Sequence, residues 1–234
     1  VSHHARRDLM RILNLSEEKV HVIHEAAPTG FQPLEDPIQR RQLRARYNLP
    51  DKFVLFVGTI EPRKNLKRLI RAVANLRKRG CDTQLVLVGP NGWLINGSLE
   101  KEIEALGLKE AVQNLGYVPQ TDLPGIYSLA TVFAFPSLYE GFGLPPLEAM
   151  ACGTPVLTSE NTAMAEVCGN AAWLIDPHHE EAIAEGLACL LQNRERREQM
   201  RQAGLARAQQ YSWERTARET AVVYEKVLNG SLSK

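Results

Sequence analysis

The sequence lacks the features that mark disulfide-stapled and membrane-spanning proteins. Its four cysteines stand far apart, at positions 81, 152, 168 and 189, and form no Cys-x-x-Cys pair. A chain of 234 residues can bury a core without disulfides. The separate cysteines are therefore most simply explained by a protein of the reducing cytoplasm. No apolar run approaches the roughly 20 residues that a membrane-spanning helix needs.

An excess of charge of either sign is also missing. The chain has 28 Lys and Arg against 27 Asp and Glu, which gives a formal net charge of +1. This balance disfavours a nucleic-acid-binding protein with a broadly basic surface. Hydrophobic residues make up 44% of the chain, which argues against a disordered segment. The composition indicates a globular protein with one large domain or two small ones.

Short apolar runs alternate with amphipathic segments along the chain. The runs with the length and composition of buried parallel strands are 53–58, 85–89, 112–117, 132–135, 155–158 and 172–175. Helices are predicted over 65–80, 98–106 and 122–130, from about 145, through 165–167, and over 180–192, 194–210 and 212–228. The alternation predicts an α/β fold with a doubly wound, parallel, six-stranded Rossmann-like sheet and C-terminal helices.

Two segments lie outside this alternation. The chain opens at Val1 with a helix capped by Ser2, so we expect it to be the C-terminal part of a longer protein. His3 and His4 could bind a metal, but adjacent residues do not share a helix face, which favours a solvated surface. Residues 26–40 are rich in proline and are predicted to form a hinge.

Ligands of open α/β sheets bind beyond the carboxyl ends of the strands, so the loops after the strands are the candidate sites. After the first strand, Gly58 lets a ligand approach the backbone, and Arg63 and Lys64 precede a helix. Two cations beside the positive end of a helix favour an anion site. A solvated loop with ordinary surface charges is the alternative.

The loop after the fourth strand has a second set of ligand-binding features. Gly141 and Gly143 allow backbone N–H groups to converge on one point, as in an anion nest. Glu140 lies in this loop and Glu148 in the helix that follows, so two carboxylates flank the donors. Either can accept hydrogen bonds from sugar hydroxyls, although Glu148 could instead complement the helix dipole. The Gly-x-Gly-x-x-Gly fingerprint of dinucleotide-binding proteins is missing.

Together these motifs resemble the family 4 glycosyltransferases, which are retaining enzymes with the GT-B fold. The segments that match, in order, are Val57-Gly58, Arg63-Lys64-Asn65, Gly89, Gly116-Tyr117-Val118, Pro136-Ser137, 140–144, 148–151, 153–156 and Glu166-Val167. Seven residues separate Glu140 from Glu148, as in the family's Glu-x7-Glu motif. The segments Glu-Pro-Arg-Lys-Asn and Tyr-Glu-Gly-Phe-Gly-Leu-Pro are most similar to a bacterial mannosyltransferase-like branch that builds surface polysaccharides.

The resemblance implies that the chain is the C-terminal, donor-binding half of a GT-B enzyme. Residues 1–25 would be the tail of an N-terminal acceptor domain, and 26–40 the hinge. Residues 41–210 would form the nucleotide-sugar-binding domain, and 211–234 a helix that crosses back toward the acceptor domain.

The resemblance also implies a role for each candidate site residue. Arg63 and Lys64 would hold the donor diphosphate, together with backbone N–H groups around Phe142, Gly143 and Leu144. Gly58 would be a further donor-binding residue. Tyr117 and Val118, in the loop after the third strand, would line the base, although this loop could also be a plain turn. Glu148 would bind the ribose hydroxyls. Glu140 would be the catalytic residue, in contact with the sugar where its bond to the donor breaks.

One departure from the family pattern concerns the phosphate site. Many members have an arginine directly after the glycine of the first strand, where Thr59 stands, so Arg63 would supply the charge instead. Arg63, Lys64 and the nearby helix end would stabilise the departing diphosphate, so neither a cofactor nor a metal is required. The chain also lacks an Asp-x-Asp metal signature. The branch favours GDP-mannose as donor, with UDP-glucose second, and a saccharide or lipid-linked acceptor.

Two other functions stay open at this level. One is a nucleotide-sugar epimerase of the same fold, which the ordered Glu140-to-Glu148 motif disfavours. The other is a non-catalytic module that binds sugar nucleotides. We expect a cytoplasmic protein without nucleic-acid partners, with peripheral association at the inner face of the membrane as an option. The arginines of 194–207 alternate with glutamates, which favours a solvated helix face over a membrane-binding patch.

Overall fold

The structure, a computed structural model, describes residues 1–90, 92 and 97–230. The strands are β1 (Val54–Val57), β2 (Leu85–Val88), β3 (Val112–Asn114), β4 (Val132–Phe135), β5 (Val156–Ser159) and β6 (Ala172–Ile175). They form one six-stranded sheet in the order β3-β2-β1-β4-β5-β6, and every neighbouring pair is parallel. The predicted doubly wound Rossmann-like sheet is therefore confirmed.

The strands at the centre of the sheet are apolar because both of their faces are covered. Every residue of β1, β2, β4 and β5 is buried, as expected of parallel strands between two helical layers. In the register of the central strands, Val54 of β1 lies beside Leu85 of β2 and Val132 of β4. The rings of Phe56 and Phe135 stack with their centroids 5.6 Å apart, so side-chain packing also ties β1 to β4.

Helices cover both faces of the sheet. Those in the described part of the chain are α1 (His3–Leu13), α2 (Pro37–Arg46), α3 (Leu66–Lys78), α4 (Ser98–Ala105), α5 (Leu123–Leu129), α6 (Leu144–Ala151), α7 (Ala163–Cys168), α8 (Glu180–Gln192), α9 (Arg194–Ala208) and α10 (Trp213–Leu228). Helix α3 packs against α4 and α8 in one layer, whereas α5 and α6 pack with α2 and α9 in the other. Within the described residues, no helix combines the length and the apolar character that crossing a bilayer requires.

One helix was missed by the sequence analysis, and one strand is shorter than predicted. Helix α2 begins where the side chain of Asp36 accepts a hydrogen bond from Ile38 N at 2.8 Å and Pro37 occupies the first turn. Both are common signals of a helix start. Strand β3 ends at Asn114 rather than at 117, because Gly116 adopts a φ of 62° and turns the chain.

The two terminal helices contact the sheet domain in different ways. Ser2 caps α1 as predicted, since its Oγ accepts a hydrogen bond from Ala5 N at 3.0 Å. In α10, Thr216 Oγ1 donates to His24 O at 2.6 Å, whereas Val227 and Leu228 are exposed. Residues 231–234 of the predicted terminal segment 211–234 lie outside the described residues. The division of the chain into domains stays a prediction.

The backbones of the loops after β1 and β2 approach each other closely. Gly58 N donates to Val88 O at 2.9 Å, and Gly89 N donates to Gly116 O at 2.8 Å. Gly89 has a φ of 136°, and a Cβ at this position would overlap with the carbonyl of Gly58. Only glycine allows this contact, which draws the first three loops together at the carboxyl edge of the sheet.

We expect Gly89→Ala to lower the free energy of unfolding by more than about 3 kcal/mol, because the added Cβ forces β1 and β2 apart. Gly80→Ala is the matched control. Gly80 also has a positive φ, 81°, but no atom lies within 4 Å of its added Cβ. Gly80→Ala should lower the free energy of unfolding by only about 1–2 kcal/mol, which is the cost of a left-handed conformation for a residue other than glycine. Urea unfolding followed by circular dichroism measures both, and equal losses would contradict the close approach.

Candidate active site

The candidate site lies where the strand order of the sheet reverses. The connection from β1 leads outward to β2 on one side, and β4 lies on the other side of β1. The loops after β1 and β4 both start at this reversal, which is the usual ligand site of an open α/β sheet. Arg63 and Lys64 lie in the first of these loops, and Glu140 lies in the second.

Backbone and side-chain hydrogen bonds join the two loops directly. Leu138 N donates to Arg63 O at 2.9 Å, and the Oγ of Ser137 lies 3.1 Å from the same carbonyl oxygen. Ser137 is fully buried. The loop that carries the two cations is thus held against the loop that carries Glu140.

The side chain of Asn65 also links these loops through hydrogen bonds. Its side-chain Nδ2 donates to Pro136 O at 3.0 Å and to Pro177 O at 2.7 Å, and its Oδ1 accepts from Arg68 at 2.9 Å. Asn65 has a φ of 61°, a left-handed conformation that asparagine tolerates better than most residues. One buried amide therefore links the loops that follow β1, β4 and β6.

The carboxylate of Glu140 contacts both cations of the site. Its Oε1 lies 2.7 Å from Lys64 Nζ and 2.7 Å from Ser137 Oγ, and its Oε2 lies 2.7 Å from Arg63 Nη1. Lys64 is 8% exposed, and its Nζ lies 4.8 Å from the ring centroid of Phe135. Lys64 and Glu140 therefore form a largely buried ion pair.

Arg63 is held by a second carboxylate as well. Its guanidinium lies 2.5 Å from Glu61 Oε1 and donates to Tyr139 O at 2.6 Å. Burial works against its charged form, but Glu140 and then Glu61 outweigh burial and raise the pKa of Arg63. Two cations and two carboxylates make this cluster formally neutral, so an anion would have to compete with Glu140 for its cations.

The start of α6 presents backbone N–H groups beside this cluster. Within the described residues, nothing accepts a hydrogen bond from the N–H of Phe142, Gly143 or Leu144. Gly143 has a φ of 120°, and a Cβ there would lie 3.0 Å from Met164 Cγ. These donors and the positive end of the helix suit an anion, as the sequence predicts.

Glu148 lies one turn into α6 and has a buried partner. Tyr127 Oη donates to Glu148 Oε2 at 2.8 Å, and Tyr127 itself is fully buried. Burial raises the pKa of Glu148, while the hydrogen bond from Tyr127 acts in the opposite direction. Burial and then Glu148 raise the pKa of Cys152 to about 12, so this thiol stays protonated.

The two residues expected to line a base differ in exposure. Tyr117 is 78% exposed, whereas Val118 is 6% exposed and packs into the main core. The side chain of Val118 is therefore not free to form a wall for a base. The roles assigned to both residues, and to the rest of the candidate site, stay predictions.

No supporting role was predicted for Asn65, Ser137 or Tyr127, although Asn65 and Ser137 lie in the segments that resemble the family. Each makes a buried or part-buried hydrogen bond to the site residues or their loops. A tyrosine within an otherwise apolar helix segment was a usable signal, since a buried hydroxyl needs a partner. The acceptors of Asn65 had no such signal, because they are carbonyls of distant segments.

A second cluster of polar groups ties the start of α1 to α7. The carboxylate of Glu166 accepts from the N–H groups of His3 and His4 at 2.9 Å each, and His24 Nε2 lies 3.1 Å from its Oε1. Burial is outweighed by these hydrogen bonds, which lower the pKa of Glu166. His3, His24 and Glu166 are close enough to share a metal ion, but both carboxylate oxygens already cap the helix.

The sequence of this chain matches a known protein family and several of its members. The sequence pattern of the family described as Glycosyl transferases group 1 matches residues 39–207. The chain is 35% identical over 228 residues to the O-antigen chain mannosyltransferase B of Escherichia coli, covering 96% of this chain and 59% of the relative. It is 32% identical to the MMP alpha-(1->4)-mannosyltransferase of Mycolicibacterium hassiacum, covering 97% of this chain and 53% of the relative.

A solved structure has the same fold. Anabaena HepE, in a crystal structure with UDP-glucose, superposes with a TM-score of 0.83 at 20% identity. The match covers 94% of this chain and 61% of HepE. The chain thus spans a little over half the length of the proteins it matches here.

We expect Lys64 and Glu140 to stabilise the fold as a coupled pair. In a double-mutant cycle of Lys64→Met and Glu140→Gln, the coupling energy from urea unfolding should be about 1–2 kcal/mol, because neither charge is well hydrated. Lys109 and Glu104 form an ion pair of similar length, 2.6 Å, with both side chains more than half exposed. Their cycle is the control, and its coupling should be close to zero. A Lys64–Glu140 coupling as small as the control would contradict a buried pair.

Proposed function

The chain belongs to the family of glycosyl transferases group 1, and on this premise we propose that it binds the nucleotide-sugar donor of a retaining hexosyltransferase. It would form the C-terminal half of a GT-B enzyme. The part of the relatives that this chain does not cover would supply the acceptor site. Under this proposal, 1–25 and 211–234 connect to that half, and 26–40 is the hinge.

The observation that carries the proposal is the convergence of cationic and N–H donors at the strand reversal. Arg63 and Lys64 approach from the loop after β1, and the N–H groups of Phe142, Gly143 and Leu144 approach from the start of α6. A diphosphate has enough acceptor oxygens to use donors from both loops. Gly58 would let it lie against the backbone.

The carboxylates suit the two sugars of such a donor. The Oε1 atom of Glu148 has no hydrogen-bond partner among the described residues, so it can accept from ribose hydroxyls. Glu140 sits beside the diphosphate cations, where it would contact the transferred sugar near the bond that breaks. The backbone from Gly116 to Val118 and the ring of Tyr117 would contact the base.

Charge stabilisation would drive the departure of the nucleotide. Negative charge develops on the diphosphate as its bond to the sugar breaks, and Arg63, Lys64 and the N-terminus of α6 would stabilise it. Cations and N–H donors suffice for this task, so the proposal requires no cofactor or metal. Glu140 would stabilise the positive charge that develops on the sugar.

We propose GDP-mannose as the donor, because two relatives are named as mannosyltransferases. UDP-glucose is the second candidate, since HepE crystallised with it. The acceptor would be a saccharide or a lipid-linked saccharide in surface polysaccharide synthesis, as the O-antigen name of the Escherichia coli relative suggests. The protein would work in the cytoplasm, with lipid-linked acceptors drawing it to the membrane.

Replacing both cations should weaken nucleotide binding. We expect Arg63→Ala with Lys64→Ala to lower the affinity for GDP or UDP more than tenfold, since each charge-assisted contact contributes about 1.5–3 kcal/mol. Calorimetry on this chain measures the effect, and circular dichroism checks the fold. The control changes Arg77 and Lys109, which pair with carboxylates at the surface. Unchanged affinity in the site variant would refute the phosphate site.

Titrating wild-type chain with GDP, UDP, GDP-mannose and UDP-glucose identifies the base and sugar. Products of a labelled donor, followed in the protein that includes the acceptor half, then distinguish transfer from epimerisation. A chain that bound none of the four nucleotides would contradict the donor-binding assignment.

Glu140→Gln should separate phosphate binding from transfer. Because Glu140 occupies both cations, its neutralisation should raise the affinity for the bare diphosphates GDP and UDP severalfold. Sugar transfer in the protein with its acceptor half should fall. Glu104→Gln, at an exposed ion pair, is the control and should change neither quantity. Loss of GDP and UDP binding in Glu140→Gln would mean that this carboxylate is needed to hold the two cations in place, and would refute competition between Glu140 and the phosphates.

A further inference from the structure

Tyr127 lies deep in the core, and its hydroxyl contacts Glu148 of the candidate site. Tyr127 belongs to α5 and is fully buried, with the ring of Phe133 5.3 Å away and that of Phe31 6.0 Å away, centroid to centroid. Packing among apolar rings needs only the ring, and phenylalanine would supply it. The hydroxyl therefore calls for a separate explanation.

That hydroxyl has one acceptor, the carboxylate of Glu148. Tyr127 Oη lies 2.8 Å from Glu148 Oε2. The other oxygen, Oε1, has no partner within the described residues, and it is not among their buried unpaired atoms, of which Arg6 Nε is the sole case. Oε1 therefore reaches the surface while Oε2 is anchored inside.

The backbone of Tyr127 is itself held by the segment between α6 and β5. Thr154 Oγ1 donates to Tyr127 O at 2.6 Å, and Thr154 is buried between α6 and β5. Ser128 Oγ also lies 3.3 Å from Cys152 O, at the end of α6. Helix α5 is thus bound to the C-terminal end of α6, the helix that carries Glu148.

We propose that Tyr127 is a positioning residue for Glu148, and that its hydroxyl holds one carboxylate oxygen so that the other meets the ribose of the donor. The inference rests on the proposed function, because the ribose contact is part of it. It goes beyond the Glu-x7-Glu motif, since Tyr127 lies outside the motif and on another helix. Tyr127 would touch no substrate atom and would act only through Glu148.

The protonation of Glu148 gives this role a measurable signature. Its titratable neighbours in the described structure are Tyr127 from α5 and Cys152 at the end of its own helix, and neither carries a charge at neutral pH. Burial raises the pKa of Glu148, and the Tyr127 hydroxyl is the group that opposes this rise. Without the hydroxyl, the pKa of Glu148 should therefore rise further.

The first test measures the affinity for GDP and UDP by calorimetry between about pH 5.5 and about pH 8.5. Tyr127→Phe should lower the affinity about threefold to tenfold at neutral pH. The loss should shrink as pH rises, because ionisation of Glu148 is shifted upward. Tyr47→Phe is the matched control, since Tyr47 Oη also donates to a carboxylate, Asp122 Oδ2, at 2.6 Å. It should leave the affinity unchanged.

The second test needs no nucleotide. A carboxyl group whose pKa is raised in the folded state gives stability that is complete below its unfolded value, 4.5, and is lost as pH rises through the raised value. Tyr127→Phe should therefore lose more unfolding free energy relative to wild type at pH 8 than at pH 5. In the Glu148→Gln background this pH dependence should vanish.

Three outcomes separate the hypotheses. If wild type binds neither GDP nor UDP, the proposed function fails, and the unfolding data still decide the link between Tyr127 and Glu148. If wild type binds and Glu148→Gln weakens binding, but Tyr127→Phe behaves like Tyr47→Phe, the positioning role is refuted. A pH-dependent loss of unfolding free energy in Tyr127→Phe that persists in the Glu148→Gln background would also refute it.

Discussion

The buried amide of Asn65 holds together the three loops that build the site. Its two donated hydrogen bonds end on carbonyls of Pro136 and Pro177, which follow β4 and β6. Because the amide is 4% exposed, these bonds are shielded from water and fix the loops to one another. The positions of Arg63 and Lys64 relative to Glu140 depend on this link, since the cations directly precede Asn65.

Electrostatic neutrality is the second constraint on the site. Burying Lys64 beside the aromatic ring of Phe135 requires an anion nearby, and Glu140 provides it in the structure. Under the proposed function, a diphosphate bound there would supply that negative charge itself. The carboxylate and the phosphates would then be alternatives for the same cations, and a bound diphosphate would release Glu140.

The N-terminal segment is connected to the same loop. Ser2 Oγ donates to Gly141 O at 2.6 Å, and Glu166 caps the first turn of α1. The ring of His24 packs near Phe142 and Tyr211. A displacement of α1 would therefore shift the backbone beside Phe142, where the N–H donors at the start of α6 begin.

Much of the fold and part of the site could be predicted from the sequence. Apolar runs and helix-capping residues specify strands and helices through local physics, so all six predicted strands and the helix predicted over 65–80 are present. The sequence also indicated that Arg63, Lys64 and Glu140 lie at one edge of the sheet, because parallel strands bring the loops that follow them to the same edge. Helix α2 was within reach too, through Asp36 and Pro37.

What only the tertiary structure decided is which side chains meet. Lys64 and Glu140 are 76 residues apart, and their ion pair exists because β1 and β4 are neighbours in the sheet. Tyr127 meets Glu148 because α5 packs against α6, and Asn65 finds its carbonyls because three loops converge. Apolar periodicity specifies that a strand is buried, but not which strand lies beside it. The hydrogen-bond partners of polar residues follow from that adjacency, and so they had to come from the structure.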